Sequence, residues 1–194
     1  MVQDPLPRTG AAQRTAEGQY LTFRLSAPQA PGQQEQPEAL ADRGEFGLPI
    51  LSVREIISYV RPTALPGTAQ DVRGTINLRG SAVPVIDLGQ RLGLGATQVR
   101  ARTCIVVVEV SVEGGTQCVG FLADVVNEVI DIEPGQLRPV PSLQSGTAMP
   151  RIVSSLAQRD EGGFVALLAA HALLAPDEGE SPAAEDLPAR LSMS

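Results

Sequence analysis

The chain has 194 residues, 43% of them hydrophobic, enough for a packed core in one domain or two small ones. It carries 22 acids against 15 basic residues, for a net charge of −7. Every basic residue is an arginine, and there is one histidine and no tryptophan. Without lysine there is neither a phosphate-binding P-loop nor Schiff-base chemistry. One His and two unclustered Cys are too few for a zinc site, and the acidic balance argues against nucleic acid. No run approaches the ~20 apolar residues of a membrane span. Residues 1–13 lack the apolar core of a signal peptide, so the sequence predicts a soluble, cytoplasmic protein.

Residues 1–19 are polar and predict a mobile lead-in. Alternating apolar residues over Tyr20–Leu25 predict a first strand. The stretch 27–45 holds three Pro, four Gln and four acids against one Arg, and reads as a long flexible insertion. Ala82–Leu88 is the strongest strand and leads into a short helix over Gly89–Leu92. Its Pro84 lacks a backbone donor and belongs at an edge or a bulge. Residues 103–123 predict a hairpin turning at Glu113–Gly115, which pairs Cys118 with Val110 and Cys104 with Asp124. The two cysteines then stand six residues apart on the ladder, roughly 20 Å at ~3.3 Å each, so both are expected as buried, reduced thiols. A strand-like run follows to Ile132, then a proline-rich connection (134–141) and a polar loop (142–162). A last apolar run spans Phe164–Leu174, and the acidic tail 176–194 is expected to be disordered.

An internal repeat organises these pieces. Residues 47–57, GLPILSVREII, align without gaps on residues 120–130, GFLADVVNEVI. Val83–Leu88 followed by Leu92 likewise resembles Val165–Ala170 followed by Leu174. The chain therefore reads as two similar half-domains of short strands, 20–94 and 95–175.

Several chemistries can be set aside. His171 has alanine and leucine neighbours, unlike an exposed phosphoacceptor. The run Gly93–Gln98 starts like a dinucleotide fingerprint but ends in Gln, and Ser154–Ser155 has no nearby base. Asp124 and Glu128 share a strand face while Asp131 points away, which is no metal cluster.

The segment Val72-Arg-Gly-Thr-Ile-Asn-Leu-Arg-Gly-Ser-Ala-Val-Pro-Val-Ile-Asp-Leu88 is the most informative. With Val53-Arg-Glu-Ile56 before it and Val119-Gly-Phe-Leu-Ala-Asp-Val-Val-Asn-Glu-Val129 after it, it resembles the signature of the CheW family of chemotaxis coupling proteins. The resemblance covers about residues 20–175. It implies an all-β fold of two small SH3-like five-stranded β-barrels with short helical segments. It implies a non-catalytic adaptor, without cofactor or metal, joining the methyl-accepting chemoreceptor tip to the regulatory domain of a CheA-type histidine kinase. Its place is then cytoplasmic, in receptor arrays at the inner face of the membrane, without insertion into it. Val53, Glu55 and Arg79 match family contact positions, and Asn77 and Arg73 lie in the same block. For Arg79, contact with a partner carboxylate and an internal pair with Glu55 both stay open. Five Arg against three acids between Arg54 and Arg91 suggest a basic surface that steers toward an acidic partner.

Three departures from the family pattern stand out: the 27–45 insertion in place of a tight hairpin, Ala169 where an aspartate is common, and no glycine in 151–158. They leave an alternative, a divergent module acting as a pathway-specific inhibitor or partial adaptor.

Overall fold

The computed structural model describes residues 18–25, 44–112, 114–141, 152–160 and 162–174. The expectations for residues 1–17, most of the insertion and the acidic tail lie outside them, whereas Gly18 and Gln19, expected in the mobile lead-in, open β1 by pairing with Ile132 and Asp131. Among the described residues eleven strands form two sheets. The first sheet contains β1 (Gly18–Arg24), β2 (Glu45–Pro49), β8 (Val125–Ile132), β9 (Leu137–Arg138), β10 (Val153–Gln158) and β11 (Phe164–Leu168). The second contains β3 (Val53–Ser58), β4 (Val72–Leu78), β5 (Ser81–Ile86), β6 (Cys104–Val112) and β7 (Gly115–Ala123). One short helix, α1 (Leu88–Arg91), follows β5. This is the all-β, two-barrel SH3-like architecture expected.

The repeat is visible in the strand orders, β8-β1-β2-β11-β10-β9 in one sheet and β3-β6-β7-β5-β4 in the other. β1, β2 and β8 stand where β6, β7 and β3 stand, and β11 and β10 where β5 and β4 do. The sheets nevertheless do not follow the sequence halves. β1 and β2 pair with strands of the second half, β8 and β11, while β3 pairs with β6 and β5, which carries β4 on its far side, pairs with β7. Each barrel is thus completed by the other half of the chain. Gly47 and Gly120 open the two repeat segments, and a Cβ at either would meet a neighbouring strand's side chain, Leu167 Cδ2 at 2.8 Å or Ile105 Cγ2 at 2.9 Å.

Three apolar clusters follow from this exchange. Ile76, Val83, Val85, Ile105, Val107 and Leu122 fill one barrel. Tyr20, Ile132, Ala157, Val165 and Leu167 fill the other. The largest cluster joins both sheets, including Phe23 and Leu48 from one with Val106, Val108 and Phe121 from the other. Phe23 stacks on Phe46 at 5.9 Å and meets Phe121 at 5.1 Å. β6 feeds one barrel interior with Ile105 and Val107 and the shared core with Val106 and Val108. That double burial explains its unbroken apolar run.

Several local expectations are corrected. Glu45 opens β2 opposite Arg24 rather than ending a loop. The β6–β7 turn is one residue shorter than expected, with Val112 opposite Gly115. Cys104 therefore faces Ala123 and Cys118 faces Glu109, five ladder positions apart. Both cysteines are free and half-buried rather than buried. The polar loop 142–162 contains β10, whose Ala157 and Val153 supply the apolar contacts missed among Ser and Gln. β5 is an interior strand, so Pro84 is at no edge, and the bulge lies on β4 between Val72 and Gly74. Pro84 is tolerated because its partner Thr75 uses both backbone groups on Thr63 instead, 2.8 and 2.9 Å away. Asp124 lies buried before β8 while Glu128 is exposed, so the two share no strand face.

Candidate partner-binding surface

β3 begins after a 3-10 turn, Ile50–Ser52, that leaves Leu51 98% exposed. Val53 is half-buried against the shared core and sits opposite Val108. A bulge falls between Val53 and Glu55, with Arg54 as the extra residue. It re-aims Arg54 outward, where Nη1 donates to Glu109 Oε2 at 3.1 Å and to Cys118 Sγ at 3.2 Å. Beyond the bulge Glu55 is half-buried, and Ile56 is exposed beside it.

Arg79 is delivered by the two-residue turn between β4 and β5, in which Leu78 faces Ser81. Its φ of 52° and the 88° of Gly80 give a type I′ turn. Gly80 supplies its positive φ freely, whereas Arg79 is the one non-glycine with positive φ among the described residues. Asn77 stabilises the turn, its Oδ1 accepting the Gly80 N–H at 2.8 Å. Arg79 Nη2 donates to Glu55 Oε2 at 3.1 Å, with 76% of the arginine side chain exposed. β3 and β4 are the two edges of their sheet, so this pair ties together strands that no ladder joins. The Thr63–Thr75 bridge holds the connection that follows β3 against β4 with backbone. It requires Gly74, where a Cβ would stand 2.1 Å from the Thr63 carbonyl oxygen.

The structure thus brings Val53, Glu55, Asn77 and Arg79 to one edge region and gives Arg73 different work. Arg73 Nε and Nη2 donate to Asp87 Oδ2 at 3.0 and 2.6 Å, and Nη2 also reaches the Thr97 carbonyl at 2.9 Å. Asp87 is wholly buried; it also accepts from the Thr97 amide and hydroxyl and caps α1 through the Gln90 N–H. Arg91 pairs with Asp71 and reaches the Leu173 carbonyl. Four of the five arginines between 54 and 91 therefore meet carboxylates, leaving Arg61 without one among the described residues. The expected steering by a bare basic segment is corrected accordingly, since its charge is spent within the fold.

A second latch went unseen in the sequence. Arg159, in the β10–β11 connection, bonds Glu128 of β8 at 3.2 Å and Glu45 of β2 at 3.3 Å. Glu128 is the repeat equivalent of Glu55, so the other barrel is tied by the same kind of pair. The repeat alignment held the glutamate, but a different offset hid its arginine. Leu51 was also missed, because an apolar residue in a repeat reads as core.

A family model for the CheW-like domain matches residues 39–178. A probable chemotaxis protein CheW from Rhizobium etli is 37% identical over 101 residues, 52% of this chain and 63% of that protein. A chemotaxis protein CheW from Rhizobium meliloti is 34% identical over the same shares. The matched stretch thus spans under two thirds of these relatives' length. The crystal structure of the scaffolding protein TtCheW from Thermoanaerobacter tengcongensis superposes with a TM-score of 0.62 at 28% identity, covering 80% of this chain and 90% of that one. With the two exchanged barrels and the family block at the β4–β5 turn, these matches establish that the chain belongs to the CheW-like domain family.

Proposed function

We propose that the chain is a non-catalytic adaptor coupling a chemoreceptor cytoplasmic tip to the regulatory domain of a CheA-type histidine kinase at the inner face of the membrane. The observation that carries this reading is the exposed Glu55–Arg79 pair, with exposed Leu51 in the turn that leads into the same strand, on a fold shared with a scaffolding protein. Leu51 offers an apolar anchor, and Arg79 a planar fork that can leave Glu55 for a partner carboxylate. Val53 holds the edge against the core, Asn77 shapes the turn, and Arg73 supports the block from beneath through Asp87.

The partial-adaptor alternative draws on Ala169, the equivalent of Asp87. Asp87 is fully buried and caps α1, whereas Ala169 precedes a 3-10 turn without a side-chain cap. The departure removes an internal cap and no surface contact, which favours the full adaptor. The test measures binding to a kinase regulatory domain and a receptor cytoplasmic fragment, separately and in ternary mixture with kinase activity. Binding to both with raised activity is expected. Binding to neither overturns the adaptor reading, and binding to one without activation favours the alternative.

A further inference from the structure

A cleft of about 440 Å³ lies where the end of β3 meets the start of β6, lined by Ile56–Tyr59 and Arg100–Cys104. Among the described residues Arg100 and Arg102 make no ion pair, and neither does exposed Arg61, two positions past Tyr59. This contrasts with Arg54, Arg73, Arg79, Arg91 and Arg159, each of which meets a carboxylate. The outer edge of β3 has no strand partner among the described residues, and Ile56 is 44% exposed there. The cleft therefore combines unspent positive charge, an apolar side chain and open backbone groups. Its complement is an acidic segment with some apolar residues.

We propose that this chain's own residues 176–194 dock in that cleft. They hold five acids against one Arg, together with Leu187 and Leu191. They follow closely on Leu174, which packs on the shared core as Cys104 of the cleft also does. Ten extended residues reach roughly 35 Å, about the width of a domain this size, so reach sets no limit. Tethering supplies an effective concentration of order millimolar, at which about 4 kcal/mol of binding gives half occupancy; exposed charge pairs at up to about 1 kcal/mol each supply part of it and burial of Leu187 and Leu191 the rest. Glu55 immediately precedes cleft-lining Ile56, so the docked segment overlies the margin of the partner surface and competes with a partner there. That consequence rests on the adaptor reading; the docking does not.

Amide NMR of the full chain tests it, comparing the native sequence with a variant carrying Asp177→Asn, Glu178→Gln, Glu180→Gln, Glu185→Gln and Asp186→Asn. Neutralising the acids, or raising the salt to half molar, is expected to shift the amides of Ser58, Tyr59 and 100–104 in one direction. Arg100→Gln/Arg102→Gln in the native-tail chain is expected to move the 176–194 resonances to their high-salt positions. Unchanged cleft amides overturn the proposal. So do changes confined to another surface, or shifts that scale with protein concentration. If docking holds, neutralisation is expected to tighten receptor-fragment binding several-fold. Docking without that gain retains the docking and removes its regulatory consequence.

Discussion

Arg79 reaches Glu55 from the opposite edge of the same sheet, so a single ion pair spans the gap between β3 and the β4–β5 turn. Its arginine is mostly exposed, and an exposed pair contributes at most about 1 kcal/mol to stability. A position with so little structural return is suited to contact. Glu55→Ala and Arg79→Glu are each expected to weaken partner binding at least tenfold while changing unfolding free energy by under ~1 kcal/mol. The swap Glu55→Arg/Arg79→Glu is expected to regain the internal pair and leave binding lost. Recovery of binding in the swap shows a staple instead. Titration calorimetry with urea melts separates the two.

Arg79 also sits at φ 52°, a conformation costing a non-glycine residue about 1 kcal/mol. Arg79→Asn is accordingly expected to raise stability by roughly 0.5–1 kcal/mol, since asparagine is favoured in type I′ turns, while partner binding falls. A thermal melt of both proteins reads this directly, and a lower melting temperature in the variant contradicts it.

Asp87 is buried and gathers Arg73, Thr97 and the α1 amide. Asp87→Ala leaves those donors without their acceptor and is expected to cost about 2–4 kcal/mol. Asp87→Asn, which keeps an acceptor oxygen, should cost less. Urea midpoints at constant m-value provide the check.

Gly74 permits the Thr63–Thr75 bridge at a backbone approach that no Cβ can share, and its φ is +123°. Gly74→Ala is expected to destabilise by roughly 2–4 kcal/mol and to speed amide exchange at Thr63 and Thr75. Retained protection at those two amides indicates that the bridge survives the added methyl.

Burial, and secondarily the nearby Asp124 charge, raises the Cys104 thiol above its usual range. The folded state then holds the proton longer than the unfolded chain does. Stability from this group is fully present below the unfolded thiol pKa of about 8.5 and declines as pH rises from there through the folded value. Melts between pH 7 and 9.5 are expected to show that decline, flatter in Cys104→Ala. Buried Tyr20 is also raised, but from its ordinary value near 10, above this window.

Local chemistry made much of this protein legible from its sequence. β-branched runs declared β6 and β5, the 47–57 and 120–130 segments declared the duplication, and the 72–88 block declared the family resemblance. These depend on neighbours within a few residues, where side-chain period and turn preference act. The tertiary structure alone decided which strands share a sheet, that each barrel borrows strands from the other half, and that Arg73 turns inward while Arg79 stays exposed. It also decided that a nominally basic segment is nearly neutralised by Asp71, Asp87, Glu55 and Glu109. Ion pairing and strand exchange depend on residues brought together across tens of positions, and no periodicity records them. The net charge of −7 is the clearest case: its sum is fixed by composition, but the fold decides which charges meet and which remain for a partner.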